Sequence, residues 1–342
     1  MKVAVYHSQQ DTRLEDMPVP GISGDEVLVE MKACGVCGSD LMSWYLEKRA
    51  PLVLGHEPAG VIAKKGDMVK NFEEGDRVFV HHHVACLTCH YCLRGDYTLC
   101  EQFHNTGIQP GGFAQYFRVP APNLQIDTLA IPETVSFEEA TLIEPLACCI
   151  RALRKGELRI DDSVAIIGAG TTGMIHIMLS RLLGASRIIV SDLFDRRLEA
   201  AKKFGADVTV NPQRESLDEV VRGETDKIGV DLAIVTASSL KAYRAAVGVC
   251  RKGGRILVFA PTAPGEALDM SLKELFFSGV QLIPSYSTSH LETRQALGLI
   301  RSERIRAKDL ITHRYDLEHT ADAFSTAMES NESLKVVVLN GD

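Results

Sequence analysis

The chain has 342 residues, 45% hydrophobic and 24% charged, with a formal net charge of −8. That length exceeds one ordinary core, so two domains are expected, and the composition is that of a globular protein. An acidic chain without a basic stripe cannot neutralise phosphates, which argues against nucleic-acid or anionic-membrane partners, and no apolar run approaches the length that crosses a bilayer.

Residues 1–6 read as the start of a strand and lack the apolar core of a signal peptide. Nine cysteines then point to metal ligation in a reducing cytoplasm, not to a disulfide framework. Short β-type runs alternate with turn residues up to 33; the clearest strand is 27–31, approached through Pro18, Pro20, Gly21 and Gly24. Ser39 and Asp40 read as a helix start ahead of Leu41, Met42 and Trp44. That places Cys37 and Ser39 at a helix N-terminus, where a thiolate gains from exposed N–H groups. Trp44, the single tryptophan, suits either a core or the wall of a substrate pocket. Cys37, His56 and Glu57 offer a thiolate, an imidazole and a carboxylate, the three ligand types zinc accepts. The Ser39 hydroxyl, two residues past Cys37, is placed to face the open position of such an ion. Glycines at 55, 60, 66 and 75 separate short apolar runs, a pattern of tight turns in a small barrel-like domain.

Cys-Gly-Val-Cys-Gly-Ser-Asp at 34–40, Gly-His-Glu-Pro-Ala-Gly at 55–60 and Gly-Asp-Arg-Val at 75–78 together resemble the zinc-containing medium-chain alcohol dehydrogenases. The resemblance covers nearly the whole chain and is nearest the sorbitol and threonine dehydrogenase-like branch. It implies a mainly β, GroES-like catalytic domain in which Cys37 and His56 bind a catalytic zinc and Ser39 passes the alcohol proton outward. Many family members carry a histidine three residues past the relay hydroxyl; Met42 stands there instead, so that arm of the relay is missing. His81, His82 and His83 follow at a strand end, where adjacent side chains alternate between faces and cannot all ligate one ion. His83 is expected to line the active site, as a histidine does at about that place in threonine dehydrogenases.

Cys86-x-x-Cys89-x-x-Cys92 with Cys100 puts four thiolates in a polar, turn-rich loop, which suits a closed tetrahedral site. Zinc or an iron–sulfur cluster fits four thiolates; the resemblance implies a structural zinc. Residues 111–116 and the strand leading to Pro120 resemble the family's return to its first domain. Glu144 is bracketed by apolar residues and must be buried or paired. In the sorbitol dehydrogenase branch this Glu faces the catalytic zinc, directly or through its water, where classical alcohol dehydrogenases have a cysteine. Cys148 and Cys149 fall four and five residues late and read as small core residues. The ligand set stays open between Glu57 and Glu144.

The apolar run 163–167 leads into Gly168, Gly170, Thr171, Thr172 and Gly173, then a helical pattern to Leu183, a strand at 188–190 and Asp192. This is the dinucleotide fingerprint in its strand–turn–helix–strand context, with the acid about twenty residues on. The Asp192 charge would repel a 2′-phosphate, which favours NAD over NADP, although Arg196 and Arg197 could offset it. The resemblance places one of these arginines on the adenine face, and Arg197 is the candidate. Helices at 195–203, 240–250 and 271–276 alternate with strands at 208–210, 232–235, 255–259 and 280–283, giving a doubly wound parallel sheet of six strands. Residues 236–237, 260–261 and 285–286, just past strand ends, are placed to hold a nicotinamide. Helices at 291–301 and 319–329 and a strand at 334–339 close the chain. The expected domains are 1–150 (catalytic), 151–284 (NAD-binding) and 285–342 (a return to the catalytic domain).

The resulting expectation is zinc-dependent hydride transfer from a secondary alcohol, polyol or sugar alcohol to NAD, giving a ketone. Oxidation of threonine, and an NAD-binding sensor without turnover, are the rival readings. The cysteine usage implies a cytoplasmic location, and the resemblance implies a homo-oligomer, a dimer or a tetramer.

Overall fold

The structure, a computed structural model, describes residues 1–329 and 332–341; residues 330, 331 and 342 of the C-terminal segment lie outside the described residues. The chain divides into two compact units, Met1–Ala147 with the chain from Thr288 onward, and Cys148–Ser287.

In the second unit six parallel strands stand in the order Val208–Val210, Arg187–Ser191, Ser163–Ile167, Val230–Val235, Cys250–Val258, Gln281–Pro284. Numbered along the chain this is 3-2-1-4-5-6, the doubly wound order whose crossover leaves a crevice at the carboxyl end of the first strand. The central strands read as unbroken apolar runs because helices cover both faces: Val164, Ile166, Ile188, Val190, Leu232 and Ile234 are all fully buried. The helix Leu217–Glu224, started by Ser216 whose Oγ accepts the Glu219 N–H, was not anticipated. Its apolar residues, Leu217, Val220 and Val221, are too few to announce a period.

The first unit is mainly β. A seven-stranded sheet runs Ile311–Asp316, Lys335–Leu339, Val27–Gly35, Glu57–Lys65, Arg77–Val80, Thr128–Ala130, with Tyr116–Val119 paired to the first half of Val27–Gly35. A three-stranded sheet, Asp11–Asp16, Lys2–Ser8 and Leu52–Val53, packs into the same core with Phe113 and Phe117. The strand Val27–Gly35 is longer than the sequence suggested and is the middle of the site: Gly35 lies opposite Glu57 on one side and Val337 on the other. Cys37 therefore follows directly on a strand end, and His56 immediately precedes the neighbouring strand.

The helix expected to begin at Ser39 is corrected. A single 3-10 turn covers Gly38–Leu41 with Cys37 as its cap, and a four-residue helix follows at Ser43–Leu46. Met42, extended at φ −88° and ψ 91°, separates the two, so no continuous dipole acts on Cys37. No helix among the described residues is long and apolar enough to cross a membrane.

Candidate metal and coenzyme sites

Cys37 Sγ, a His56 ring nitrogen and a Glu57 carboxylate oxygen all lie within 4.8 Å of one another. Asp40, almost fully buried, holds the first two in place. Its Oδ2 accepts the Cys37 N–H at 3.0 Å, and its Oδ1 lies 3.3 Å from His56 Nδ1. That leaves His56 Nε2 as the donor toward an ion, the carboxylate–histidine arrangement usual at metal sites. Burial opposes charge on His56, but Asp40 and Cys37 outweigh it and raise the pKa well above the ordinary value. The sequence reading took Asp40 only as a helix cap.

Glu57 is fully buried. Its Oε2 accepts from Lys335 Nζ, which also donates to the Val36 carbonyl at 3.1 Å, while Oε1 has no hydrogen-bond partner among the described residues. An orphaned carboxylate oxygen in a dry site fits an ion that needs an oxygen donor. Burial works against the Lys335 charge, yet Glu57 and Cys37 hold its pKa above the ordinary value. On Glu57 burial pushes the carboxyl up, Lys335 and His56 pull it down, and Glu144 pushes it up again. Glu144, in the first turn of the helix Ile143–Lys155, is buried as its apolar neighbours require. It stands outside the set of three donors, close enough for its charge to reach both Glu57 and Lys335. Cys148 and Cys149 are not part of the set. Ser39 sits half-buried in the turn between Cys37 and Asp40.

The three histidines part company. His81 is buried with its Nδ1 2.9 Å from Asp127 Oδ2. His82, not His83, packs its ring on His56, with centroids 5.0 Å apart; His83 stacks on His82 at 4.0 Å and meets the Thr106 carbonyl through Nδ1 at 2.7 Å. Burial lowers His83 to about 4 and pushes His82 well down, with the neighbouring rings adding to the effect.

Cys86, Cys89, Cys92 and Cys100 form a second set of donors. Cys92 Sγ lies 3.9 Å from Cys86 Sγ and 3.5 Å from Cys89 Sγ. A tetrahedral ion at about 2.3 Å from each sulfur would set neighbouring sulfurs roughly 3.8 Å apart, so the spacing fits one zinc. It is too tight to enclose a multi-iron cluster. The loop's own core is Ala85, Cys92, Cys100 and Phe103, which is small enough to explain why it needs a cross-link.

In the other unit, Ser163–Ile167 turns at Gly168 (φ +108°) into the helix Thr171–Leu182, capped by Gly170. Each glycine answers a different need. A Cβ on Gly168 would sit 2.6 Å from Thr236 Oγ1 and one on Gly173 2.1 Å from the Gly168 carbonyl, whereas one on Gly170 would meet open space. Tight turn, close helix–strand packing and ligand access are the three demands of a pyrophosphate cradle. Thr171 and Thr172 open the helix beside it. Asp192 follows the strand Arg187–Ser191 and accepts the Ala169 N–H at 2.7 Å and the Phe194 N–H at 2.9 Å, so it also braces the turn. The Arg197 guanidinium lies 5.3 Å from the Phe194 ring centroid.

A doubly wound sheet with this glycine turn defines a dinucleotide-binding unit. Residues 171–302 match the family model for zinc-binding dehydrogenases, and residues 23–128 match that of the alcohol dehydrogenase GroES-like domain. The sorbitol dehydrogenase of Bacillus subtilis (strain 168) is 35% identical, over 99% of this chain and 97% of that one. Among solved structures, an alcohol dehydrogenase from Thermus sp. ATN1 is 29% identical with a TM-score of 0.88, covering 100% of both chains. Galactitol-1-phosphate dehydrogenase from Escherichia coli is 26% identical with a TM-score of 0.87, over 99% of this chain and 100% of that one. The chain belongs to the zinc-containing medium-chain alcohol dehydrogenases, in their sorbitol dehydrogenase-like branch.

Gly35 gives the metal-side geometry its sharpest check. A Cβ there would lie 2.0 Å from Glu57 Oε2 and 2.6 Å from Lys335 Cε, and both side chains are buried. Gly35→Ala should cost about 2 kcal/mol by overpacking, lowering the unfolding temperature by roughly 5 °C in a thermal melt.

Proposed function

We propose that this protein is a zinc-dependent polyol dehydrogenase, oxidising a secondary hydroxyl of a polyol or sugar alcohol to a ketone with NAD as hydride acceptor. The observation that carries this is the convergence of Cys37, His56 and the unpartnered Glu57 oxygen. When bound, zinc supplies a Lewis acid that makes an alcohol more acidic, and NAD accepts the hydride. Cys37, His56 and Glu57 hold the ion, Asp40 orients His56, and Glu144 shares the site. Ser39 Oγ takes up the hydroxyl proton and hands it to water, because Met42 offers no carrier. Cys86, Cys89, Cys92 and Cys100 hold a second, structural zinc. Gly168, Gly170 and Gly173 with the N–H groups of Thr171 and Thr172 cradle the pyrophosphate; Asp192 faces the adenosine ribose and Arg197 the adenine. The likeness to sorbitol and galactitol-1-phosphate dehydrogenases, and a buried Glu144 instead of a cysteine, support a polyol over a primary alcohol. Nine free cysteines, five of them in the two donor sets, suit a reducing cytoplasm.

A panel of polyols, secondary alcohols and L-threonine with NAD tests the substrate class by following NADH absorbance. Polyols and secondary alcohols should turn over and threonine should lag. Faster oxidation of threonine would remove the polyol reading, and retained zinc with no turnover at all would favour a sensor. Cys37→Ser should lower kcat by about a thousandfold while NAD affinity stays within about twofold.

Asp192→Ala should weaken NAD about tenfold and shrink its advantage over NADP by a similar factor. Because Asp192 also braces the turn, the deciding quantity is the ratio of the two affinities by fluorescence titration. A loosened turn alone would weaken both coenzymes equally.

The homo-oligomer is inferred from the sheet's open edge. Gln281–Pro284 ends the six-stranded order, Leu282 on it is exposed, and Phe276 and Phe277 of the adjoining helix Leu272–Ser278 are 80% and 72% exposed. Two copies pairing edge to edge about a two-fold axis would cover these groups and extend the sheet. Light scattering should give a dimer or a multiple of it, and Phe276→Glu with Phe277→Glu should shift the mass toward a monomer.

A further inference from the structure

The last strand places a charged side chain where a sheet interior normally takes none. Lys335 is buried, with a side-chain exposure of 2%, beside Val336, Val337 and Val338, which are core residues. The strand's own pairing does not need it: Lys335–Leu339 is tied to Ile311–Asp316 and Val27–Gly35 through backbone ladders. A buried ammonium persists only with partners that repay its desolvation, and Lys335 has two, Glu57 Oε2 and the Val36 carbonyl. Gly35 is the one residue that lets the pair form. It lies between Glu57 and Val337 in the ladder, and with no Cβ it leaves the space through which the carboxylate crosses to the lysine.

The consequence falls on Glu57. A free carboxylate offers an ion two oxygens; here one is taken by Lys335 and the other, Oε1, is buried without a partner among the described residues. Glu144 stands close enough for its charge to act on both members of the pair. Lys335 therefore puts a buried positive charge directly on the oxygen that the ion does not face.

We propose that Lys335 is a positioning residue of the metal site: it holds one Glu57 oxygen so that the carboxylate binds the ion through the other alone. This rests on the metal reading of Cys37, His56 and Glu57 given above.

The test is zinc release from the zinc-loaded protein into excess chelator, followed with a chromophoric zinc indicator. Two phases are expected, and the one absent from Cys37→Ser belongs to the site at Cys37. Lys335→Met should speed that phase at least about tenfold and leave the cysteine-loop phase unchanged, as loss of a partner that orients a ligand does. An unchanged rate overturns the proposal. In a Glu57→Gln background Lys335→Met should add less than about twofold, because the lysine then has no carboxylate to place. A further large acceleration there would mean that Lys335 acts elsewhere, and also overturns it. Should Lys335→Met fail to fold, Lys335→Gln, which is uncharged and shorter, takes its place in the same measurement: a faster phase for the site at Cys37 supports the proposal and an unchanged rate overturns it. If wild type and Cys37→Ser release the same amount of zinc, it is the metal reading that has failed.

Discussion

Glu57 and Lys335 meet across a glycine, and the metal side of the protein is arranged around that meeting. A buried ion pair adds little net stability, since desolvation consumes most of its attraction. What it adds is position. Once Lys335 fixes one carboxylate oxygen, the direction of the other follows, and Cys37 and His56 are set relative to it by the strand ends on either side of Gly35. Asp40 completes the constraint by binding the Cys37 backbone and His56 at once. The three donors thus share two braces, Asp40 and Lys335, and both are buried.

The two sets of metal-type donors answer opposite needs. The four cysteines are spaced to enclose one ion, which would substitute for a core that the loop lacks. The set at Cys37 contributes three donors of three chemical kinds, one short of a closed tetrahedron, which is what a reacting centre requires. The glycine turn divides its work in the same spirit. Two of its glycines serve backbone packing, and only Gly170 faces open space.

What could be read from the sequence was what is written in contiguous residues. The six-stranded sheet was legible because each strand, turn and helix of the dinucleotide unit is a local pattern, and Gly168 to Asp192 spans only one such unit. The cysteine quartet was legible for the same reason. Asp40 was seen but misread, because its tie to His56 depends on a fold that brings residue 56 alongside. Lys335 was not singled out at all: a lysine opening a run of valines is ordinarily a surface residue, and only a glutamate 278 positions away makes it an interior one. The helix expected at Ser39 failed on the backbone of Met42, which no propensity announces. His83 was chosen over His82 by resemblance, whereas the loop that follows the strand Arg77–Val80 sets His82 against His56 and His83 against Thr106. The strand Ile311–Asp316 was missed because its residues are mostly polar and only its ladder with Lys335–Leu339 defines it.

The distance along the chain between Glu57 and Lys335 has a bearing on biogenesis. Residues 37, 56 and 57 belong to one stretch of chain, whereas the lysine that holds the Glu57 carboxylate stands 278 positions on, so that set of donors waits for distant strands to pair. The cysteine loop is under no such delay, since its four ligands lie between residues 86 and 100 and need nothing downstream. One donor set is thus a local product of the chain, and the other a product of the assembled sheet.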